Sequence, residues 1–389
     1  MTTRLEYARI LTPNHVIEHG AVIVSDDGRI AFVGAMSDAP RADGLRLDVR
    51  GRTVVPGFLD VHVHGGNGIT FGEPGRIASD LRAYSEWVVG GGVTGFLCSV
   101  AAPDPEGLAA IVGESAAALD AGAPGAEPLG LHLEGPFLNP QKKGAFNPAW
   151  LRAPSLEEVD AVLQAGRGWV RQMTVAPELP GALEVAAHLR SEGVVVAMGH
   201  TDADYATAAK ALRGNFTHVT HTFNAQRSFG HREPGVMGAV LASDDVTAEL
   251  IADSVHVHPG AMKVLIRSVG TDRVVLITDA MAGAGLAQGE YDLVGYKVTV
   301  KDGRATLADG TLAGSIATLN ECVRNMHEQV GVPLAEAVKM ASLNPAQAMG
   351  FAGRLGSISE GKDASLIIMD EHAHVYLTMV RGKIVYKRF

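Results

Sequence analysis

The chain has 389 residues, of which 47% are hydrophobic and 20% charged, a composition that supports a large folded core. Its formal net charge of -10 disfavours the nucleic-acid backbone and anionic membranes as partners. The two cysteines, Cys98 and Cys322, match no zinc or redox spacing, which agrees with a reducing compartment. The N-terminus lacks the apolar core of a signal peptide and no run reaches membrane-spanning length, so we expect a cytoplasmic protein.

Both ends of the chain have the pattern of short β-strands. Apolar segments separated by turns lie at 21–25, 29–33, 364–369, 375–377 and 383–386. Asp27-Gly28, between the first two segments, is a dipeptide typical of hairpin turns. Because neither end is long enough to form a sheet alone, we predict that both contribute to one small β-sandwich domain, residues 1–52 and 355–389.

The middle of the chain, residues 53–354, alternates between buried strands and amphipathic helices. The predicted strands are 57–62, 94–99, 129–134, 172–176, 194–198, 216–220, 247–251 and 273–278. Helical periodicity lies between them, as at 156–165, 182–191 and 203–212. Strands joined by helical crossovers predict an α/β fold, a closed (β/α)8 TIM barrel. A doubly wound open sheet is the competing fold, but it would usually carry a Gly-rich fingerprint after an early strand, which we do not find.

Histidines and acids stand at the ends of several predicted strands. The first strand ends Asp60-Val61-His62-Val63-His64, and period-two alternation places Asp60, His62 and His64 on one face. Other candidates at strand ends are Glu134, His200, His221 and Asp279. In a barrel these ends share the face on which active sites of the fold are built. Each residue alone could serve a structural role, but together they predict a metal site.

The ligand types indicate the metal and the chemistry. Imidazole and carboxylate without thiolate suit zinc, which we expect, or Fe2+, Co2+ or Mn2+. Such an ion makes a nucleophile of water at neutral pH, so the sequence predicts metal-assisted hydrolysis. Asp279 then fits the base that orients the water and passes its proton to the leaving group.

The same motifs resemble the amidohydrolase superfamily and, within it, the N-acetylglucosamine-6-phosphate deacetylase family. The broader likeness lies in the His62 and His64 pair, the strand-end residues and the split β domain. The finer likeness is carried, in the family's order, by Pro56-Gly57-Phe58-Leu59-Asp60, His132-Leu133-Glu134-Gly135-Pro136-Phe137, Met198-Gly199-His200-Thr201, His221-Thr222-Phe223-Asn224-Ala225, Arg232-Glu233-Pro234-Gly235, Ile251-Ala252-Asp253, Thr278-Asp279-Ala280 and Leu312-Ala313-Gly314-Ser315. These motifs span nearly the whole chain.

The resemblance implies that the chain removes the acetyl group from N-acetylglucosamine 6-phosphate. It implies that the principal metal is bound by Glu134, His200 and His221. Asp279 would be the catalytic acid/base, and His256 would bond the acetyl carbonyl or substrate hydroxyls. The substrate would also contact Ala145, Asn224, Ala225, Arg232, Leu312, Ala313 and Gly314. In relatives the phosphate-binding arginine can come from a neighbouring subunit, so a homodimer is implied.

Two features distinguish this chain within the resemblance. Family members that keep the first-strand histidine pair hold a second metal, so His62 and His64 predict a second ion bridged by Glu134. The alternative is that the pair only forms hydrogen bonds near the site. Phe146 stands where relatives often present a histidine, and it cannot replace that hydrogen bond to the sugar.

Other activities remain open from the residues alone. A dihydroorotase- or hydantoinase-like enzyme would supply a carboxylated lysine from the fourth strand, but segment 172–178 has none. A deaminase is compatible with the fold. N-acetylgalactosamine 6-phosphate is an alternative substrate, because no motif encodes the orientation of one hydroxyl. A barrel that binds metal or sugar phosphate without turnover is disfavoured by the presence of Asp279.

Overall fold

A computed structural model describes residues 2–41, 43–293 and 295–388. In chain order its strands are β1 Thr3–Leu11, β2 Val16–Val24, β3 Ile30–Ala35, β4 Leu45–Asp48, β5 Thr53–Pro56, β6 Phe58–Val63, β7 Gly65–Gly66, β8 Ile69–Thr70, β9 Val93–Val100, β10 Glu127–Glu134, β11 Val170–Val175, β12 Val195–Met198, β13 His218–Val219, β14 Thr247–Ile251, β15 Val274–Ile277, β16 Gly289–Leu293, β17 Tyr296–Lys301, β18 Arg304–Thr306, β19 Leu366–Met369, β20 Val375–Val380 and β21 Lys383–Lys387. Its helices are α1 Ile77–Val88, α2 Pro105–Ala121, α3 Leu156–Gly166, α4 Ala182–Ser191, α5 Tyr205–Leu212, α6 Gly235–Leu241, α7 Pro259–Val269, α8 Leu319–Asn325, α9 Leu334–Met340 and α10 Leu343–Ala348. None of the helices described here is both long and apolar enough to cross a membrane.

The predicted TIM barrel is confirmed. Eight parallel strands follow the order β15-β14-β13-β12-β11-β10-β9-β6, with helices in the connections. Strands such as β9 are buried along their whole length, as expected where helices cover one side of a parallel sheet and the barrel interior the other. Between the two end strands, the Asp279 N–H donates to the His62 carbonyl and the His64 N–H donates to the Ala280 carbonyl, both at 2.9 Å. These bonds close the barrel at the end that carries the predicted ligands.

The barrel interior has an apolar part and a polar part. One interior cluster packs against α10 and consists of Leu59, Val61, Leu97, Leu129, Ile251, Val275, Ile277, Ala346, Met349 and Leu355. Polar side chains buried in the barrel strands include His62, His132, Gln172, Thr174, His218 and Glu249. Buried polar groups need partners, so this second set must form an internal network. The network lies beneath the site described below.

Strands from both ends of the chain form one sheet. Its eight strands follow the order β21-β20-β19-β5-β1-β2-β3, and β4 also pairs with β1. Strand β5 links the two ends, since it pairs antiparallel with β19 and parallel with β1. The predicted small β domain built from both ends is therefore confirmed. Strand β5 lies in this sheet and the barrel begins at Phe58, whereas the domain limits 1–52, 53–354 and 355–389 stay predictions.

A three-stranded antiparallel sheet, β16–β18, follows the last barrel strand and was not predicted. Its inner face buries Leu293, Val298 and Val300 against Ala313. Strand β17 alternates between buried and exposed residues, and Asp302-Gly303 forms the turn to β18 with positive φ at both residues. Both features are hairpin signals that the sequence contains. This sheet contributes to one wall of the cavity over the barrel mouth.

Candidate active site

Glu134 is the carboxylate at which the predicted ligands meet. It ends β10 and is buried. Its Oε1 lies 3.1 Å from His200 Nε2 and 3.0 Å from His221 Nε2, and those two nitrogens are 3.0 Å apart. A zinc ion with bonds of ~2.0–2.1 Å holds tetrahedral ligand atoms ~3.3 Å from one another. This triangle therefore has the size and the donor set of a metal site.

His62 and His64 approach the same carboxylate from the first strand. His64 Nε2 lies 2.9 Å from Glu134 Oε2, and His62 Nε2 lies 3.5 Å from Oε1. Asp279 Oδ1 is 3.5 Å from His62 Nε2 and 3.4 Å from His64 Nε2. These two histidines and Asp279 form a second group that could hold an ion, and Glu134 stands between the two groups.

The charges around His62 favour a cation. His62 is fully buried, and its Nε2 has no hydrogen-bond partner among the residues described. Burial would lower the pKa of His62, but the carboxylates of Glu134, Glu249 and Asp279 outweigh burial and raise that pKa well above its usual value. Burial would likewise raise the pKa of Glu134, but the imidazoles around it hold that pKa well below its ordinary value. An unpartnered buried nitrogen among carboxylates suits a divalent ion.

Three residues of the site leave their strands with left-handed backbone. The φ angles are +47° at His200, +27° at His221 and +49° at Asp279. Such conformations cost ~1–3 kcal/mol each in residues other than glycine and persist only when their surroundings hold them. Here the His221 N–H donates to Glu249 Oε2 at 3.0 Å, and the Asp279 N–H donates to the His62 carbonyl. The strain is thus concentrated where the two predicted metal groups meet.

His200 is held from the loop that follows β10. Its Nδ1 lies 2.8 Å from the Lys142 carbonyl oxygen, so Nδ1 donates and Nε2 is left facing Glu134. Phe146, on the same loop, is buried and packs edge-on against the His200 ring, with 5.2 Å between ring centroids. The side chain that departs from the family pattern therefore contacts a predicted metal ligand, besides lining the cavity.

His256 forms a partly buried pair with Asp253. His256 Nδ1 lies 2.7 Å from Asp253 Oδ2, and Asp253 Oδ1 accepts the His256 N–H at 2.8 Å. Burial would lower the pKa of His256, but the hydrogen bond and charge of Asp253 raise it. Burial would raise the pKa of Asp253, and His256 lowers it. The pair keeps His256 cationic to a higher pH than free histidine and leaves Nε2 to meet a ligand.

A cavity of about 240 Å³ opens over these groups. Among its lining residues are these predicted site residues: His64, Glu134, Ala145, His200, His221, Asn224, Ala225, His256, Asp279, Leu312 and Gly314. Ala313 is not among them, because its side chain is fully buried in the core under the β16–β18 sheet. Most of the predicted residues, from many separate segments, therefore converge on one cavity.

Two residues of the predicted motifs lie elsewhere. Arg232 is exposed on the loop before α6 and makes no hydrogen bond or ion pair with any residue that the structure describes. Asp60 does not join the histidines of its strand: its carboxylate accepts from the Thr278 N–H at 3.2 Å and the Thr278 hydroxyl at 2.6 Å. Burial raises the pKa of Asp60 to about 7. The β6–β9 register shifts between Asp60 and Val63, so the period-two prediction is wrong for Asp60.

Three residues next to the site were missed by the sequence reasoning. Glu249, Gln172 and His218 are fully buried inside the barrel, where Gln172 and His218 both bond to the Glu249 carboxylate. The signal for Glu249 was present, since a single acid interrupts the apolar strand β14. A buried acid requires partners, and that requirement alone could have marked the position.

Comparison with known proteins identifies the family to which the chain belongs. The amidohydrolase family model matches residues 53–385. The N-acetylglucosamine-6-phosphate deacetylase of Bacillus subtilis (strain 168) is 37% identical over 97% of this chain and 95% of its own length. The N-acetylgalactosamine-6-phosphate deacetylase of Escherichia coli O157:H7 is also 37% identical, over 99% of both chains. A mutant N-acetyl-D-glucosamine-6-phosphate deacetylase from Mycobacterium smegmatis, solved with N-acetyl-D-glucosamine-6-phosphate, is 35% identical with a TM-score of 0.91, over 100% of this chain and 99% of that one.

These matches, with the barrel and its ligand cluster, show that the chain belongs to the amidohydrolase family. Within that family it belongs with the N-acetylglucosamine-6-phosphate deacetylases, as the sequence motifs indicated.

Proposed function

We infer that the chain is a metal-dependent deacetylase that hydrolyses N-acetylglucosamine 6-phosphate to acetate and glucosamine 6-phosphate. The observation that carries this inference is the meeting of Glu134, Asp279 and three imidazoles at the floor of one cavity, with the imidazole of His62 buried against them. The full-length likeness to a deacetylase solved with this sugar phosphate supports the choice of substrate.

Glu134, His200 and His221 would hold the principal ion, and His62 and His64, together with Glu134, would hold a second ion. The donor set of imidazole and carboxylate favours zinc, with Fe2+, Co2+ or Mn2+ as the other candidates. When bound, such an ion lowers the pKa of water and acts as a Lewis acid toward an amide carbonyl.

The chain's own groups move the protons. Asp279 lines the cavity beside both histidines of the first strand, within reach of a water molecule placed there. Its carboxylate accepts a proton as the water oxygen attacks the acetyl carbon, and returns it to the nitrogen as the C–N bond breaks. His256 donates from Nε2 to the acetyl carbonyl oxygen, because Asp253 occupies Nδ1.

The sugar phosphate lies along the remaining wall. Asn224 and the backbone at Ala225 bind the phosphate, and the guanidinium of Arg232 binds it through two parallel hydrogen bonds. The sugar lies against Ala145, Leu312, Ala313 and Gly314, of which Ala313 contributes backbone only.

The unpaired, buried cysteines Cys98 and Cys322 agree with a location in the cytoplasm.

N-acetylgalactosamine 6-phosphate is the second candidate substrate, because a relative named for it has the same 37% identity as a relative named for N-acetylglucosamine 6-phosphate. The test is acetate release from both phosphorylated sugars and from unphosphorylated N-acetylglucosamine. We expect the highest kcat/KM with N-acetylglucosamine 6-phosphate and a large loss without phosphate. Faster turnover of the galactosamine isomer would assign the second substrate, and no acetate from either phosphate would overturn the proposed function.

Changing Asp253 to Asn should shift the pH dependence of turnover. In the parent the raised pKa of His256 keeps Nε2 protonated to a higher pH than in free histidine, and this proton is lost as pH rises through that pKa. Without the carboxylate the pKa of His256 falls, so the alkaline limb of the kcat profile should move to lower pH. The measurement is kcat against pH for both proteins. Superimposable alkaline limbs would show that Asp253 does not control the protonation of His256.

We expect Arg232 to act in a homodimer across the subunit boundary, because it lies outside the cavity of its own chain. Arg232→Met alone and Asp279→Asn alone should each be nearly inactive. A mixture refolded or co-expressed as hybrid dimers should regain activity, since one cavity then holds an intact Asp279 and an Arg232 from the partner subunit. Absence of recovery in isolated hybrids would place Arg232 in its own chain's site or outside catalysis.

A further inference from the structure

Glu249 is a buried carboxylate in the middle of β14, one layer beneath the candidate metal groups, and none of the roles proposed above involves it. It is fully buried, as are its side-chain neighbours Gln172, His218 and His62. A carboxylate in such a place is costly unless every oxygen lone pair is used. What Glu249 bonds to therefore indicates what it does.

Its two oxygens accept four hydrogen bonds in two pairs. Oε1 faces Gln172 Nε2 at 2.8 Å and His218 Nε2 at 3.0 Å, which hold the carboxylate in place. Oε2 faces His62 Nδ1 at 2.9 Å and accepts the backbone N–H of His221 at 3.0 Å. One oxygen is thus anchored to the barrel, while the other contacts a residue from each candidate metal group.

The bond to His62 fixes the state of that imidazole. Because Nδ1 faces a carboxylate, it keeps its proton, and Nε2 is the nitrogen that can offer a lone pair to an ion. That Nε2 lies 3.5 Å from both Glu134 and Asp279 and is the buried atom without a hydrogen-bond partner. Carboxylates that orient a ligating histidine in this way typically affect metal affinity by ~10–100-fold.

We propose that Glu249 is a positioning residue for the second metal ion, acting through His62. The role rests on the metal-dependent function proposed above. His221 depends on it less, since that side chain reaches Glu134 from a turn that is also held by the bond from the Asn224 N–H to the His221 carbonyl. Glu249 consequently decides whether the site holds one ion or two.

The test measures ion binding without substrate. Metal-free protein is titrated with Zn2+ in competition with a chelator, and ions per chain are counted by elemental analysis. We expect the parent to bind two ions, and Glu249→Gln to weaken the second ion ~10–100-fold while the first changes by less than ~3-fold. Glu249→Asp retracts the carboxylate by one carbon and should act in the same way, so it carries the test if Glu249→Gln does not fold. Glu158→Gln, a buried acid paired with Arg152, is the matched control and should bind two ions as the parent does.

A double mutant separates action through His62 from general damage. His62→Gln should remove the second ion, and adding Glu249→Gln to it should change Zn2+ binding no further. Equal loss of both ions in Glu249→Gln, or unchanged binding of both, would overturn the proposal, as would a parent that binds one ion. Failure to release acetate from a protein that still binds two ions would overturn the proposed function alone.

Discussion

Replacing Asp279 with Asn is expected to lower kcat for deacetylation by about 10³–10⁴-fold, the upper range for loss of a general acid/base. Asparagine has the same shape but cannot accept the proton of the attacking water or return it to the leaving nitrogen. KM should change little, because the residues that bind sugar and phosphate are untouched. The measurement is steady-state acetate release, with metal content determined on the same samples.

The control for this substitution must separate proton transfer from metal binding. Asp279 also lies 3.4 Å from His64 Nε2, so a fall in activity with a matching fall in metal content would reflect a ligand role. Asp272→Asn changes an exposed aspartate that pairs with Lys339 and should leave kcat at the parental value. A variant at position 279 that keeps both its metal and a kcat within ~10-fold of the parent would remove Asp279 from the chemistry.

The barrel could be predicted from the sequence because the pattern of an apolar strand followed by an amphipathic helix repeats along the chain. Each barrel strand is a short apolar run that needs cover on both faces, and each is followed by a helical period, so the strands and helices α3, α4 and α5 were predicted to within a few residues. Placing the metal-type ligands required only the rule that strand ends share a face. Both steps use patterns within single segments of the chain and need no knowledge of contacts between distant segments.

Other features depend on contacts between distant segments and could not be predicted in this way. The left-handed turns at His200 and Asp279 set the direction of these two side chains, and nothing in either motif encodes them. Asp60 departs from its predicted face because of a register shift against β9. The lone acid in β14 was visible in the sequence, but its partner Gln172 comes from another strand, and no local pattern pairs the two.

Removing the metal should abolish activity reversibly, and Glu134→Gln should abolish it permanently. Glu134 contacts the histidines of both candidate groups, so its loss should lower the affinity for both ions at once. The expected loss exceeds the ~100-fold upper range that is typical of residues which only orient a metal ligand. Chelated parent should recover on addition of Zn2+, or of Fe2+, Co2+ or Mn2+ if one of these is native. A ligand that binds only the folded state, present at a concentration of 1,000 times its Kd, raises the free energy of unfolding by about 4.1 kcal/mol. We therefore expect Zn2+ to raise the Tm of the parent and not that of Glu134→Gln. Glu158→Gln should respond as the parent does. Full activity after exhaustive chelation would contradict a metal-dependent reaction.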